Sequence, residues 1–347
     1  MTEINNCNPI LVENIRGEVV ESFHRGSFCV VDKAGQILWS QGDISQISFP
    51  RSALKYFQHI PFLLSGGFDS LGFSDKELAI MCASHNGEEM HLKAVDVVLD
   101  RIQLDVNALK CGPQQPTRKS DFVTLIKANK EPSCMHNNCS GKHAGFLAHC
   151  TFNQLDTVDY LSINHPLHQD IKRITSLFYE VSEDELAIGT DGCSAPIFGM
   201  PLYNQAVAYK NLVTDMPWKD EAMTSACERI VKSVTNYPDL IAGTKRYCTD
   251  LMKVTNGRIV GKTGADGIYC LAVPHLNWGI AIKIDDGKMG PQYQVAQEIL
   301  IQLGLLTNTE AEQLRVHWHC DNRNFAGNYV GISKAVELLC PSTIKQS

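Results

Sequence analysis

Four side chains in this 347-residue chain have the types and spacing for a serine nucleophile activated by lysines: Ser52 and Lys55, Ser84, and Lys262. A serine hydroxyl is a poor nucleophile unless a base takes its proton. Residues three apart on a helix share a face, so an amine on Lys55 comes within reach of the Ser52 hydroxyl. A lysine acts as base only when neutral, a state favoured by desolvation or by a second nearby cation, and Lys262 is a candidate for that cation. Ser84, placed between the two lysines, would relay protons among nucleophile, base and leaving group. Taken singly each residue has an ordinary reading: a helix-start serine, a solvated lysine, a lysine that protects a sheet edge.

Composition narrows the class. With 44% hydrophobic residues the chain can bury a substantial core. Its formal net charge is −7, with no lysine-arginine cluster long enough to follow a phosphate backbone, so nucleic acid is not an expected partner. No apolar run approaches a membrane span, and no basic region followed by an apolar stretch opens the chain, so a cytoplasmic protein is expected. The 13 cysteines are odd in number and scattered, which suits reduced thiols better than a disulfide scaffold. Cys29, Cys82, Cys270 and Cys340 lie in apolar runs and are expected in the core.

The elements that must position the four residues are legible in outline. The first fifty residues read as a β-meander: Ile10 to Glu13, Val19 to Ser22, Ser27 to Asp32, a turn at Lys33 to Gly35, then Gln36 to Trp39. Ser52 falls where Phe49-Pro50 gives way to the helical spacing of Ala53, Leu54, Phe57 and Ile60. Ser74-Asp-Lys-Glu77 is a capping box, so Ser84 is expected just past the end of the helix it opens. Helices are expected over 88–104, 142–152, 165–179, 221–234, 244–254 and 292–305, and strands over 258–264, 268–273 and 278–284. The expected fold is therefore α/β, an antiparallel sheet built from both chain ends with a helical middle. No linker is visible, so 1–347 is read as a single domain with a core of about 10–305 and a C-terminal extension, 306–347.

Two more strings are dense in small polar residues, Asn137-Asn-Cys139-Ser-Gly-Lys142-His143 and Gly189-Thr-Asp191-Gly-Cys193-Ser-Ala-Pro196. Loops of that kind let a backbone approach a ligand closely. Ser52-Ala-Leu-Lys55, Ser84-His-Asn86 and Lys262-Thr-Gly264 also follow the order S-x-x-K, S-D-N, K-T-G of serine β-lactamases and penicillin-binding proteins. With the flanking strings, the chain from Val12 to about Leu305 closely resembles the rhizobial-type L-asparaginases, the asparaginase II family. It departs from the β-lactamase pattern in having Ser-His-Asn, only 32 positions after Ser52.

The resemblance implies a serine β-lactamase-like fold, hydrolysis of L-asparagine to L-aspartate and ammonia, and a homodimer. It implies Ser52 as nucleophile, Lys55 as its base, and Ser84 with Lys262 as a second pair. Arg51 would grip the substrate α-carboxylate and Asp191 its ammonium. It also implies a zinc ion on Cys139, Lys142 and Cys193; spacing alone reads those cysteines as free thiols, with His143 or His136 as a more ordinary ligand. For the oxyanion hole the candidates are the Ser52 N–H and an N–H between Gly264 and Asp266. Two other readings stay open: an amidase or peptidase of the same fold acting on another amide, and a non-enzymatic zinc-bearing binding module.

Overall fold

In the computed structural model, which describes residues 7–341 and 344, the strands are β1 (Ile10–Arg16), β2 (Val19–Val31), β3 (Ile37–Gln41), β4 (Ile47–Ser48), β5 (Ala187–Thr190), β6 (Pro196–Pro201), β7 (Val260–Thr263), β8 (Ile268–Val273), β9 (Trp278–Ile284), β10 (Cys320–Arg323) and β11 (Tyr329–Ala335). Eight of them form one antiparallel sheet in the order β10-β11-β1-β2-β9-β8-β7, with β3 beside β2. The sheet is thus built from both ends of the chain, as expected. The middle of the chain is mainly helical.

Two compact units share the chain. The first holds the segments up to Ala53, Met200–Thr214 and Asp250 onward; the second holds Leu54–Gly199 and Asp215–Thr249. A boundary crossed at four points leaves no single linker to read. The segment expected as an extension supplies sheet strands: β11 pairs with β1 from Val12↔Ala335 to Arg16↔Gly331, and β10 pairs with β11.

In the first unit, the two N-terminal stretches expected as separate strands are one 13-residue strand, β2. Its outer half, Val19–Arg25, pairs with β1, and its inner half, from Gly26, pairs with β9 and β3. Gly26 sits at the change of partner, where a Cβ would stand 2.2 Å from the Lys283 carbonyl oxygen. Phe28 to Val31 and all of β8 are buried, so both faces of this part of the sheet are covered. The helix Leu202–Val213 packs on β9, β8 and β2. Its approach is closest at Gly279, where a Cβ would stand 1.9 Å from the Ala206 carbonyl oxygen. Gly279→Ala is expected to lower unfolding free energy by about 2 kcal/mol or more, because the clash is with backbone. An unchanged urea midpoint would refute this.

The second unit is a helical assembly around aromatic rings. Phe57 meets Phe178 and Tyr179 at 5.3 and 5.1 Å, and Phe62 meets Phe68 at 5.9 Å. The helix Asp75–Met81 carries the expected capping box and packs against the helices Glu89–Arg101, Ser140–Phe152 and Glu221–Asn236. Gly141 is required there: a Cβ would stand 2.1 Å from the Ile80 carbonyl oxygen. No disulfide joins any of the thirteen cysteines; Cys29, Cys82 and Cys270 are buried, whereas Cys340 is only half-buried, because the chain beyond Leu338 leaves the core. Among the described residues no helix is long and apolar enough to cross a membrane.

Candidate active site

The expected residues fall into two groups, one in each unit. In the first unit, Arg51 and Ser52 lie on a 3-10 turn, Arg51–Leu54, that runs directly into the helix Lys55–Gln58. Arg51 has a positive φ of 52°, an uncommon conformation for a side-chain-bearing residue, and its guanidinium pairs with Asp266. The Lys262-Thr-Gly264 strand is β7, with Lys262 fully buried and its Nζ donating to the Thr263 carbonyl at 3.1 Å. Gly264 presses on the segment before the serine, since a Cβ would stand 2.4 Å from the Pro50 oxygen. The Gly264 N–H donates to the Ile268 carbonyl and is spent in the turn, which removes it from the oxyanion-hole candidates and leaves Ala265 and Asp266.

In the second unit, Lys55 is buried and its Nζ donates to the Ala83 carbonyl at 2.5 Å, to Ser84 Oγ at 3.0 Å and to the Asn138 carbonyl at 3.3 Å. Three acceptors match the three N–H bonds of an ammonium. Ser84 lies past the helix Asp75–Met81, and its N–H donates to the Ile241 carbonyl. The serine that Lys55 meets here is thus Ser84, the residue expected as a relay, whereas the three-residue spacing pairs Lys55 with Ser52.

The sulfur cluster lies in the same unit. Cys139 precedes the helix Ser140–Phe152, Lys142 is on its first turn, and Asp191 and Cys193 come from the loop between β5 and β6. Lys142 Nζ lies 2.9 Å from Cys193 Sγ and 4.0 Å from Asp191 Oδ2; Cys193 Sγ is 3.5 Å from that carboxylate. The hydrogen bond from Cys139 lowers the Cys193 pKa far below the usual thiol range, and the same contact raises that of Cys139. Burial works against the charged Lys142 amine, but Cys193, Cys139 and Asp191 outweigh it and keep it protonated. The two sulfurs and an Asp191 oxygen lie within 4.8 Å of one another. Donors on a tetrahedral zinc stand roughly 3.8 Å apart, so small side-chain rotations bring this set onto a metal. The donor set fits zinc.

The backbone and neighbours of this cluster tie it to the Lys55–Ser84 pair. Asn138, whose carbonyl accepts from Lys55, directly precedes Cys139. His85 supplies a second tie: its Nδ1 accepts from the Gly87 N–H, so Nε2–H donates to Ser140 Oγ at 2.9 Å, and Ser140 in turn donates to the Met135 carbonyl. This gives the His in Ser-His-Asn a physical role, because an aspartate has no N–H to donate to Ser140.

The family profile of L-asparaginase II matches residues 12–335. The chain belongs to the L-asparaginase II family. No curated protein matches this family member. Among solved structures it is similar to Mglu in its tris and glutamate form, with 13% identity, TM-score 0.46, and coverage of 86% of this chain and 63% of that one. It thus spans less than two thirds of the length of Mglu. It is also similar to a β-lactamase from Mycobacterium bovis (10% identity, TM-score 0.41, 80% and 94% covered) and to a D-alanine carboxypeptidase from Burkholderia cenocepacia (10%, 0.41, 80% and 93%).

Sequence reasoning missed one part of this candidate site. Glu88 accepts from the Thr244 N–H and hydroxyl at 2.8 and 2.7 Å, from Asn86 at 3.0 Å and from Arg118 at 2.6 Å. Asn86 accepts from Arg246 at 2.8 Å. The loop carrying Ser84 is thereby bolted to the Gly243–Arg246 loop. Gly243 has φ 107° and would place a Cβ 2.4 Å from Glu88 Oε1. Burial disfavours the Glu88 carboxylate, but Thr244, Asn86 and Arg118 overcome it and lower its pKa to about 2. The visible signal was the acidic residue ending Ser84-His-Asn-Gly-Glu88. Glu88→Gln turns an amide toward these donors and is expected to cost about 2–4 kcal/mol at pH 7. The difference from the parent should vanish as pH falls from 4.5 toward 2, where the parent protonates too; a pH-independent gap in denaturation would refute the role.

Proposed function

We propose that this chain is an amidohydrolase that cleaves the side-chain amide of L-asparagine to L-aspartate and ammonia through a serine ester. The observation that carries the reading is the buried Lys55–Ser84 hydrogen bond, on a lysine three residues after Ser52. Ser52 Oγ attacks the amide carbon while Lys55, as the neutral amine, takes its proton. Giving up one of three N–H bonds costs Lys55 one of its three acceptors and frees the lone pair. Ser84 relays a proton to the departing nitrogen, and ammonia leaves. Water, deprotonated by the same lysine, then cleaves the ester and restores Ser52. Lys262 is the second lysine of the reading, paired with Ser84.

Arg51 receives the α-carboxylate, exchanging or sharing its contact with Asp266. Asp191 receives the α-ammonium. Cys139 and Cys193 would hold zinc, with Lys142 as a third ligand once the metal has displaced its ammonium proton and Asp191 alongside. When bound, the metal supplies Lewis-acid charge beside the substrate and clamps two loops. The chain works as a cytoplasmic homodimer in this reading.

The test is ammonia release from L-asparagine and L-glutamine by the wild type and by Ser52→Ala. The substitution is expected to lower kcat at least about 10³-fold, as loss of an activated nucleophile does. One methylene in a pocket is worth roughly 10–200-fold, so asparagine should be preferred over glutamine by that order. Release that survives Ser52→Ala refutes the nucleophile assignment. No release from either amide by folded, zinc-supplied protein refutes the asparaginase reading.

A further inference from the structure

In the first unit a cavity of about 740 Å³ is walled by the outer strands of the sheet and by residues at the start of the helix Pro291–Gln302. Its volume is that of a small-molecule pocket. The floor follows from strand register. Ser22 of β2 pairs with Asn14 of β1, Asn14 with Ser333 of β11, and Ser333 with Cys320 of β10, so one row of side chains crosses four strands on the cavity face. Two residues along each strand, Arg16 and Asn322 both pair with Gly331, which puts no side chain between them.

The wall is cationic. Arg16, Lys288 and Arg323 line it, and among the described residues no aspartate or glutamate does. Each arginine has a carboxylate partner outside the lining and keeps donors over. Arg16 spends Nε on the two Glu21 oxygens, at 2.9 and 2.8 Å, so the fork of its two terminal nitrogens has no partner among the described residues. Arg323 gives one N–H to Asp321 at 3.0 Å and one to the Gly327 carbonyl at 3.1 Å, and a guanidinium has further N–H groups to give. Lys288 is exposed and, among the described residues, its amine is unpaired. His24 is occupied by Asn14 and Asp286, at 3.1 and 2.6 Å.

The cavity also carries an aromatic ring that the fold leaves in water. Phe325 is fully exposed, yet the turn between β10 and β11 that presents it is tightly knit. Asn324 Oδ1 accepts from the Ala326 and Asn328 N–H groups at 3.0 and 2.9 Å, and the Gly327 N–H donates to the Asn324 carbonyl at 2.9 Å. An ordered turn that holds a phenylalanine in solvent forgoes the free energy of burying it. Met289, also exposed, lines the same cavity.

We propose that this cavity binds a nucleoside phosphate, with the phosphate on the Arg16 fork and Lys288 and the base against Phe325. A guanidinium fork matches two phosphate oxygens, an ammonium adds a point charge, and an aromatic side chain gives a base a face to stack on. The site shares no residue with the candidate active site, and the proposal stands apart from the amidohydrolase reading.

The test is isothermal titration of the full chain with AMP, adenosine and inorganic phosphate. AMP should bind about 10-fold or more tightly than either fragment, because only AMP makes both contacts. Lys288→Ala, Phe325→Ala and Arg16→Lys should each weaken AMP about 5- to 10-fold, the last because lysine keeps the charge and loses the fork. All three side chains are exposed, so the urea midpoints should stay at the wild-type value. Phosphate that binds as tightly as AMP, or Phe325→Ala that binds AMP as the wild type does, overturns the nucleotide assignment. No binding of AMP, or binding that none of the three variants weakens, overturns the site itself.

Discussion

Lys55→Met is expected to lower kcat for amide hydrolysis by 10²–10⁴-fold while leaving the substrate KM little changed. The range is that of a lost general acid-base group. The side chain is buried, and methionine fills nearly the same volume, so packing survives. What is lost is the proton acceptor, together with three hydrogen bonds to the Ala83 carbonyl, Ser84 Oγ and the Asn138 carbonyl. The buried Ala83 carbonyl left without this donor costs about 1–3 kcal/mol, and the half-buried Asn138 carbonyl less, so a lower melting temperature should accompany the lost activity. Steady-state kinetics separates the effects: a KM rise with kcat intact would mean that Lys55 binds substrate rather than moving its proton.

The second large effect is loss of stability in mild acid. Burial pushes the ring pKa of His59 and of His168 down to about 3 and that of His149 down to about 4, against 6.5 in an unfolded chain. All three pack in the second unit: His59 and His168 lie 5.5 Å from the Phe146 ring, and His149 lies 5.9 Å from Phe62. Folded, they stay neutral; unfolded, they take up protons as pH falls through 6.5. Each lowered histidine pKa therefore removes about 1.4 kcal/mol of stability per pH unit below 6.5 until the folded ring itself protonates. Three together give about 4 kcal/mol per unit, so about 6 kcal/mol is gone at pH 5. That rivals the whole stability of a typical domain. Urea denaturation at pH 7.5, 6 and 5 should show the fall, and a flat profile would sink the prediction. His168→Leu isolates one contribution. Neither ring nitrogen of His168 has a hydrogen-bond partner among the described residues, so the variant should match the parent at pH 7.5 and exceed it at pH 5.

The nucleophile, its lysine and the K-T-G strand were legible because the chemistry demands short fixed spacings. Sheet strands were legible where runs such as Ile268–Val273 are wholly apolar. The outer half of β2 was not joined to the inner half, because Arg25-Gly26 interrupts the apolar pattern at the change of partner. The helix Leu202–Val213 went unread: buried from Gln205 through Leu212, it shows no polar stripe from which to count a period. β10 and β11 were taken for an extension because Cys-Asp-Asn-Arg has no apolar alternation, and its pairing is supplied by a partner strand. In the site, what escaped were contacts between residues far apart in the chain. His85 meets Ser140 55 positions on, and Glu88 meets Thr244 156 positions on. The Cys139, Lys142 and Cys193 set has no ordinary zinc spacing, and only a loop returning to the helix start brings Cys193 to Lys142.

The sheet that joins both chain ends has a consequence during synthesis. β2 emerges from the ribosome early, yet its central partner β9 follows about 250 residues later, a wait of roughly 10–50 s at usual elongation rates. During that interval Phe28-Cys-Val-Val has β3 on one edge and an open edge on the other, a template for pairing with other nascent chains. The last segment of the helical unit, Asp215–Thr249, leaves the ribosome before β7, β8 and β9. Yield in a cell should therefore depend on holdase chaperones and growth temperature more steeply than the finished protein's melting point would suggest.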